Sequence, residues 1–246
     1  MTEIRLPYPH KGQRIVREQA CRFNWLAAGR RWRKTTLGMS IVVERAIAGQ
    51  HWLWGAPTFD QVRICWNEAK HGVGNAAHFT QSRMTAEFPT GGIIVFRSLD
   101  DPDNARGHTA DGVIIDEAEK VKPQGWYEVI RPMLMDTGGD AWLMGTPMGR
   151  NWFWKEHIAT HDRDDSMAWQ IPTKGCKINE LENELIREPH PLENPDVPWP
   201  EIVHLFETLP RRTFQQEVLA EFLEGQGAVF RNIAACCTLE PSEPDA

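Results

Sequence analysis

Long apolar runs are missing from this sequence. The longest, GGIIVF at 91–96 and GVIID at 112–116, are far shorter than a bilayer span. The opening MTEIRLPYPHKGQ lacks the apolar segment of a secretion signal. No membrane association is expected, and the chain reads as intracellular and not secreted. Cysteine is also scarce: of five, only Cys236 and Cys237 are close, which fits neither a disulfide framework nor spaced zinc ligands. Reduced thiols are expected, and with no paired ligands for His78 or His108 no zinc site is read. No internal repeat is present. An overall positive charge is lacking too. At −7, the whole surface is not that of a nonspecific nucleic-acid binder.

What is present is ordinary for a globular chain: 246 residues, 41% hydrophobic and 25% charged, enough for one sizeable core. The charge is unevenly spread. Residues 1–36 hold nine Lys/Arg against two Asp/Glu, and residues 180–246 hold four against fourteen. An anionic ligand is therefore expected near the start of the chain. Of the 11 tryptophans, Trp52, Trp54, Trp142, Trp152 and Trp154 lie in or beside regular elements and read as packing residues, not base-stacking platforms.

Short apolar runs alternate with longer helical stretches, the pattern of an α/β domain with a largely parallel sheet. Strands are predicted at 23–28, 52–58, 93–98, 112–116 and 141–147. Helices are predicted after the basic loop to Gly49, at 61–70, 123–135, 151–162 and 209–222, with a proline-rich loop at 189–200. Residues 166–224 read as a small helical lid, and the end EPSEPDA as a disordered tail.

Two strand ends carry chemistry. AGRRWRKTT at 28–36 has a glycine, four residues and then Lys-Thr, close to the spacing of a phosphate-binding loop. Such a loop before a helix gathers free N–H groups on an anion; Lys34 neutralises phosphate charge and the Thr35 hydroxyl suits magnesium. Arg33 stands where a second glycine is usual, and a solvated arginine-rich loop is the plain alternative. VIIDEA then puts Asp116 at the carboxyl end of a buried strand, with Glu117 beside it. One carboxylate suits a metal and the other an attacking water; a helix cap and a first-turn acid are the bland reading. Thr146 in GTP follows the next strand, where it would reach a γ-phosphate or the water. Thr58 and Gln61 would touch nucleotide or DNA, or serve as a helix cap and a surface polar residue.

These motifs, in order, resemble the ATPase half of a large terminase subunit, the motor that packages DNA into tailed-phage capsids. The resemblance runs through HKGQ at 10–13, RFNWLAAGRRWRKTT at 22–36, APTFDQ at 56–61, ARG at 105–107 before VIIDEAE, GTPMGRNWF at 145–153 and FQQEVLAEFLEGQGAVFRN at 214–232. It implies a P-loop NTPase fold of ASCE/RecA-like type, with a largely parallel sheet flanked by helices and a small C-terminal helical lid. Implied boundaries are an ATPase core at 1–165, a lid and linker at 166–235, a tail at 236–246 and no nuclease domain.

By the same resemblance the cofactors are ATP and Mg2+. Gln13 resembles the adenine-recognising glutamine, and Arg30 the arginine of the terminase phosphate loop. Gly29, Arg30, Arg31, Trp32, Arg33, Lys34, Thr35 and Thr36 form the nucleotide loop, while Thr35 and Asp116 hold the metal. Glu117 resembles the catalytic glutamate, with Lys34 and Arg30 assisting, and Thr146 lies in a coupling motif. Arg106 resembles an arginine finger offered to a neighbour's ATP. Implied partners are double-stranded DNA, portal protein, the small terminase subunit and copies of the chain in a ring, usually a pentamer; the place of action is host cytoplasm, transiently at the procapsid portal. A helicase-like DNA-stimulated ATPase and a catalytically impaired terminase fragment are the alternatives. Family loops have glycine before the lysine, so impaired hydrolysis is expected here, although Arg33 has room to point outward.

Overall fold

A computed structural model describes residues 4–105, 107 and 109–224. Arg106, His108 and the expected tail at 236–246 lie outside the described residues. In chain order the elements are α1 (Lys11–Glu18), β1 (Phe23–Ala28), α2 (Lys34–Ile47), β2 (His51–Ala56), α3 (Phe59–Val73), β3 (His78–Thr80), β4 (Thr85–Glu87) and β5 (Ile93–Ser98). Then come β6 (Gly112–Asp116), α4 (Arg131–Met133), β7 (Asp140–Gly145), α5 (Trp152–Ala159), β8 (Ser166–Ile171), β9 (Cys176–Asn179), β10 (Glu184–Arg187), α6 (Trp199–Thr208) and α7 (Arg211–Glu217).

Eight strands form one sheet in the order β3-β4-β5-β2-β6-β7-β1-β8. From β5 to β8 every neighbouring pair is parallel, while β3 and β4 add an antiparallel edge. β1 and β6 are buried at every position, as continuous apolar runs inside a parallel sheet require. One strand, β7, separates β1, which leads into the basic loop, from the acid-bearing β6. All three carboxyl ends therefore open on the same edge, where α/β sheets bind ligands.

Helices cover both faces. On one, Leu37, Ile41 and Val42 of α2 and Val62, Trp66 and Ala69 of α3 pack over Trp54, Ile114 and Trp142. On the other, Trp25 meets Trp126 edge-on at 5.6 Å and packs against Phe153 at 5.7 Å. Trp52, Trp54 and Trp142 are core residues, in keeping with the packing role expected for them. A third, smaller core joins Ile202 of α6 and Phe214 of α7 to Ile178 and Leu185 of the β9–β10 hairpin.

Three stretches depart from the sequence reading. The helix expected at 123–135 is a π-helical turn, Gly125–Ile130, followed by the short α4. The helix expected to run to 222 ends at Glu217, and Ala220 takes a left-handed φ of 57°. The stretch read as a helical lid opens with β8, which pairs with β1 from Phe23↔Ser166 to Ala28↔Ile171 and is followed by a hairpin. As an edge strand β8 is only partly buried, so it lacks the continuous apolar run that marks β1 and β6.

Candidate functional site

β1 runs straight into loop 29–33, and α2 begins at Lys34. The unpaired N–H groups of that first turn thus open on the carboxyl edge of the sheet. A cleft of ≈ 460 Å³ lies there, and its walls include Arg30, Arg31, Arg33, Lys34, Thr35, Asp116, Glu117 and Thr146. Eight residues singled out in three separate sequence motifs are thus brought together.

Lys34 is the centre of the cluster. Its ammonium donates to the Ala28 carbonyl at 2.7 Å, the Gly29 carbonyl at 3.3 Å and Thr146 Oγ1 at 2.9 Å. These three acceptors match the three donors of a charged lysine and tie the loop to the end of β7. Burial lowers the Lys34 pKa, while the carboxylates of Glu119 and Asp116 oppose that shift. Thr35 Oγ1 donates to Asp116 Oδ2 at 2.8 Å. Burial raises the Asp116 pKa, against the Thr35 hydrogen bond and the charge of Lys34. A hydroxyl and a carboxylate at this spacing are the hard oxygen donors magnesium takes. An ion that keeps several waters and phosphate oxygens needs no more from the protein, so the pair fits such an ion.

Glu117 follows in the left-handed region, at φ 50° and ψ 44°, a conformation non-glycine residues seldom adopt. Its carboxylate accepts from Gln61 Nε2 and from Lys120 Nζ, the latter at 2.7 Å. Thr58 is the N-cap of α3, and Gln61 stands in that helix's first turn, aimed at Glu117 rather than at solvent. Arg31 and Arg33 share the left-handed conformation at φ 69° and φ 68°. Three strained residues at one cleft are the pattern that marks functional sites. Arg33 occupies the glycine conformation, and its guanidinium pairs with Asp196 at 2.7 Å.

Other expected residues sit elsewhere. Gln13 is 1% exposed and does not line the cleft; its amide donates to the Arg33 carbonyl at 2.8 Å. Trp32 is buried edge-on against His10 and gives its indole N–H to the Leu192 carbonyl. Thr36 lines a smaller cavity of ≈ 250 Å³ beside Gln61 and Glu117. Gly29 lies beneath Thr173 and Val218, where any β-carbon would collide with both. Arg30 keeps an exposed side chain 3.9 Å from Glu217.

Glu119 was missed by the sequence reading. It is buried in the cleft wall against Gly145, and its Oε2 has no hydrogen-bond partner among the described residues. Burial pushes its pKa up to about 7, with Lys34 pulling the other way. The sequence holds one trace of it, the last letter of VIIDEAE; the approach of Gly145 from β7 is a tertiary fact.

The sequence profile described as phage terminase large subunit matches residues 56–194. The chain belongs to this family. Among curated terminase large subunits, that of Thermus phage G20c is 33% identical over 147 residues, covering 56% of this chain and 28% of that protein. That of Thermus virus P23-45 is 32% identical over 147 residues, with the same coverage. The matched stretch is thus under a third of the length of these terminase relatives. The solved ATPase domain of the Thermus phage P74-26 large terminase has a TM-score of 0.66 at 23% identity, covering 88% of this chain and 94% of that one. The large terminase of another thermophilic bacteriophage, solved in complex with ADP, has a TM-score of 0.64 at 15% identity, over 88% of this chain and 54% of its own. These structures share the terminase ATPase fold. Among the described residues, no helix is long and apolar enough to cross a membrane.

Proposed function

We propose that this stretch of terminase is an ATP hydrolase that couples Mg-ATP turnover to movement of double-stranded DNA into a procapsid. The carrying observation is the convergence of Lys34, Thr35, Asp116, Glu117 and Thr146 on one cleft at the ends of β1, β6 and β7. The ADP bound in the thermophilic-phage terminase complex supports an adenine nucleotide as the ligand.

The first-turn N–H groups of α2 and the Lys34 ammonium bind the phosphates. Thr35 and Asp116 would hold magnesium, which would supply positive charge to the phosphates when bound. Glu117 orients the attacking water and takes its proton, and Thr146 reads the γ-phosphate through its bond to Lys34. Arg106, which lies outside the described residues, is offered to the ATP of a neighbouring copy and stabilises charge in the transition state. That role requires a neighbouring copy, and the terminase pattern suggests a ring, usually a pentamer, docked on portal protein and loaded with DNA by the small subunit in the host cytoplasm. DNA contacts go chiefly to phosphates, since a packaging motor must accept any sequence.

Glu117→Gln tests the assignment. It is expected to leave ADP affinity within about twofold while lowering turnover by about a hundredfold or more, the scale of lost general-base catalysis. Single-turnover assays beside equilibrium binding separate the two. Turnover retained at more than half the parent rate excludes Glu117 as the base.

A further inference from the structure

The phosphate loop is held from behind. Four consecutive carbonyls, those of Arg30, Arg31, Trp32 and Arg33, each meet a side chain from elsewhere in the fold. Thr173 Oγ1 donates to Arg30, Asn194 Nδ2 to Arg31 at 2.7 Å, and Gln13 Nε2 to Arg33 at 2.8 Å, while His10 Nε2 lies 3.2 Å from the Trp32 carbonyl. Two of these side chains come from the start of the chain and two from the 172–196 segment after β8.

A trans peptide points its C=O and the next N–H in opposite directions. Carbonyls fixed outward therefore turn the N–H groups of Arg31, Arg33 and Lys34 the other way, as anion binding needs. The N–H of Trp32 closes a turn on the Gly29 carbonyl at 3.2 Å.

The holders are themselves fixed. Gln13, Thr173 and Asn194 are at most 2% exposed. Gln13 Oε1 accepts from the His10 N–H at 2.9 Å, and Asn194 Oδ1 from the Asp196 N–H at 3.0 Å, so neither amide is free to turn. The 172–196 segment is stitched down by Thr173 N–H to the Val218 carbonyl at 2.7 Å and Asn194 N–H to the Thr173 carbonyl at 3.2 Å, and the end of β8 before it accepts from Gly29 N–H at the Ile171 carbonyl, 2.9 Å.

We propose that Thr173, Asn194 and Gln13 are positioning residues that hold the phosphate loop in its anion-binding shape. They over-determine a loop in which Arg33 occupies a conformation that favours glycine. The inference rests on the nucleotide reading of the cleft. It also gives Gln13 a different task from reading adenine: a brace serves any nucleoside diphosphate alike, whereas an adenine reader discriminates.

The experiment measures ADP and GDP binding by calorimetry, and KM and kcat for ATP, in the parent chain and in Asn194→Ala, Thr173→Val and Gln13→Ala. Lys34→Ala is the control for the cleft. Asn24→Ala is the control for folding; it removes a buried amide bonded to the Cys21 and Ala141 carbonyls, at the opposite end of β1 from the loop. Each brace variant is expected to weaken ADP and GDP by the same factor, about tenfold for one lost buried hydrogen bond. KM should rise in step and kcat should change less than twofold, while Asn24→Ala lowers the melting temperature and leaves KM alone.

Parent-like ADP affinity in Asn194→Ala and Thr173→Val, with binding lost in Lys34→Ala, overturns the brace and leaves the cleft reading intact. Absence of Lys34-dependent ADP binding in the parent overturns both. Gln13→Ala that loses only the preference for ADP over GDP removes Gln13 from the brace. KM rises in Asn24→Ala equal to those of the brace variants reduce the effect to general stability and overturn the proposal.

Discussion

Glu119 is a carboxyl group enclosed in the cleft wall, with one oxygen unpartnered among the described residues. Its pKa is about 7 in the fold against 4.5 for the ordinary side chain. Between those values the folded chain holds a proton that the unfolded chain has released. This group's contribution is therefore most favourable below about pH 4.5 and is lost as pH rises to about 7. Glu119→Gln is expected to unfold at higher urea than the parent at pH 8 and to show a smaller gap at pH 5. Equal gaps at both values exclude a buried, proton-holding Glu119. The same residue shows what the sequence conceals. Lys34, Thr35, Asp116 and Glu117 stand in short motifs whose spacing carries their chemistry. Glu119 and Gln61 gain their places only when β7 and α3 pack beside β6, a matter of tertiary register.

Among elements, the phosphate loop departs most from its usual composition. Arg33 takes φ 68° with its side chain turned to Asp196, so the loop forms despite the missing glycine. A left-handed non-glycine residue costs about 1–2 kcal/mol, and an exposed ion pair returns at most about 1. The strain belongs to the folded loop and weighs on folding more than on catalysis. Arg33→Gly is expected to raise unfolding free energy by about 1 kcal/mol. Turnover should stay within about threefold, since the brace already sets the loop's shape. A tenfold rise in turnover means instead that the side chain obstructs the phosphates, the impairment expected from the sequence. Strands β1, β2, β5, β6 and β7 are legible because each is a short apolar run with a turn after it. β3 and β4 have three residues each, and β8 is a half-buried edge, too little periodic signal for a sequence reading. α1 is an eight-residue helix whose buried side consists of Gly12, Gln13 and Val16, so it hides among the polar residues of the N-terminal stretch.

At the scale of the whole molecule, the strand order puts the loop of β1, the acids of β6 and the threonine after β7 on one edge, and family membership is consistent with that order. A net charge of −7 with a basic first segment suits a protein that meets its anions at one place rather than over its whole surface. If Arg106 serves a neighbour's cleft, activity belongs to an assembly and not to a single copy. Magnesium-dependent ATP turnover, followed over a range of protein concentrations for the parent chain and for Lys34→Ala, is the most direct measurement. The expected result is turnover that rises more steeply than protein concentration and falls by about a hundredfold or more in Lys34→Ala, the scale of losing a principal charge-stabilising donor. Turnover undiminished by Lys34→Ala would contradict an ATPase centred on this cleft, and turnover strictly proportional to protein concentration would contradict the shared arginine.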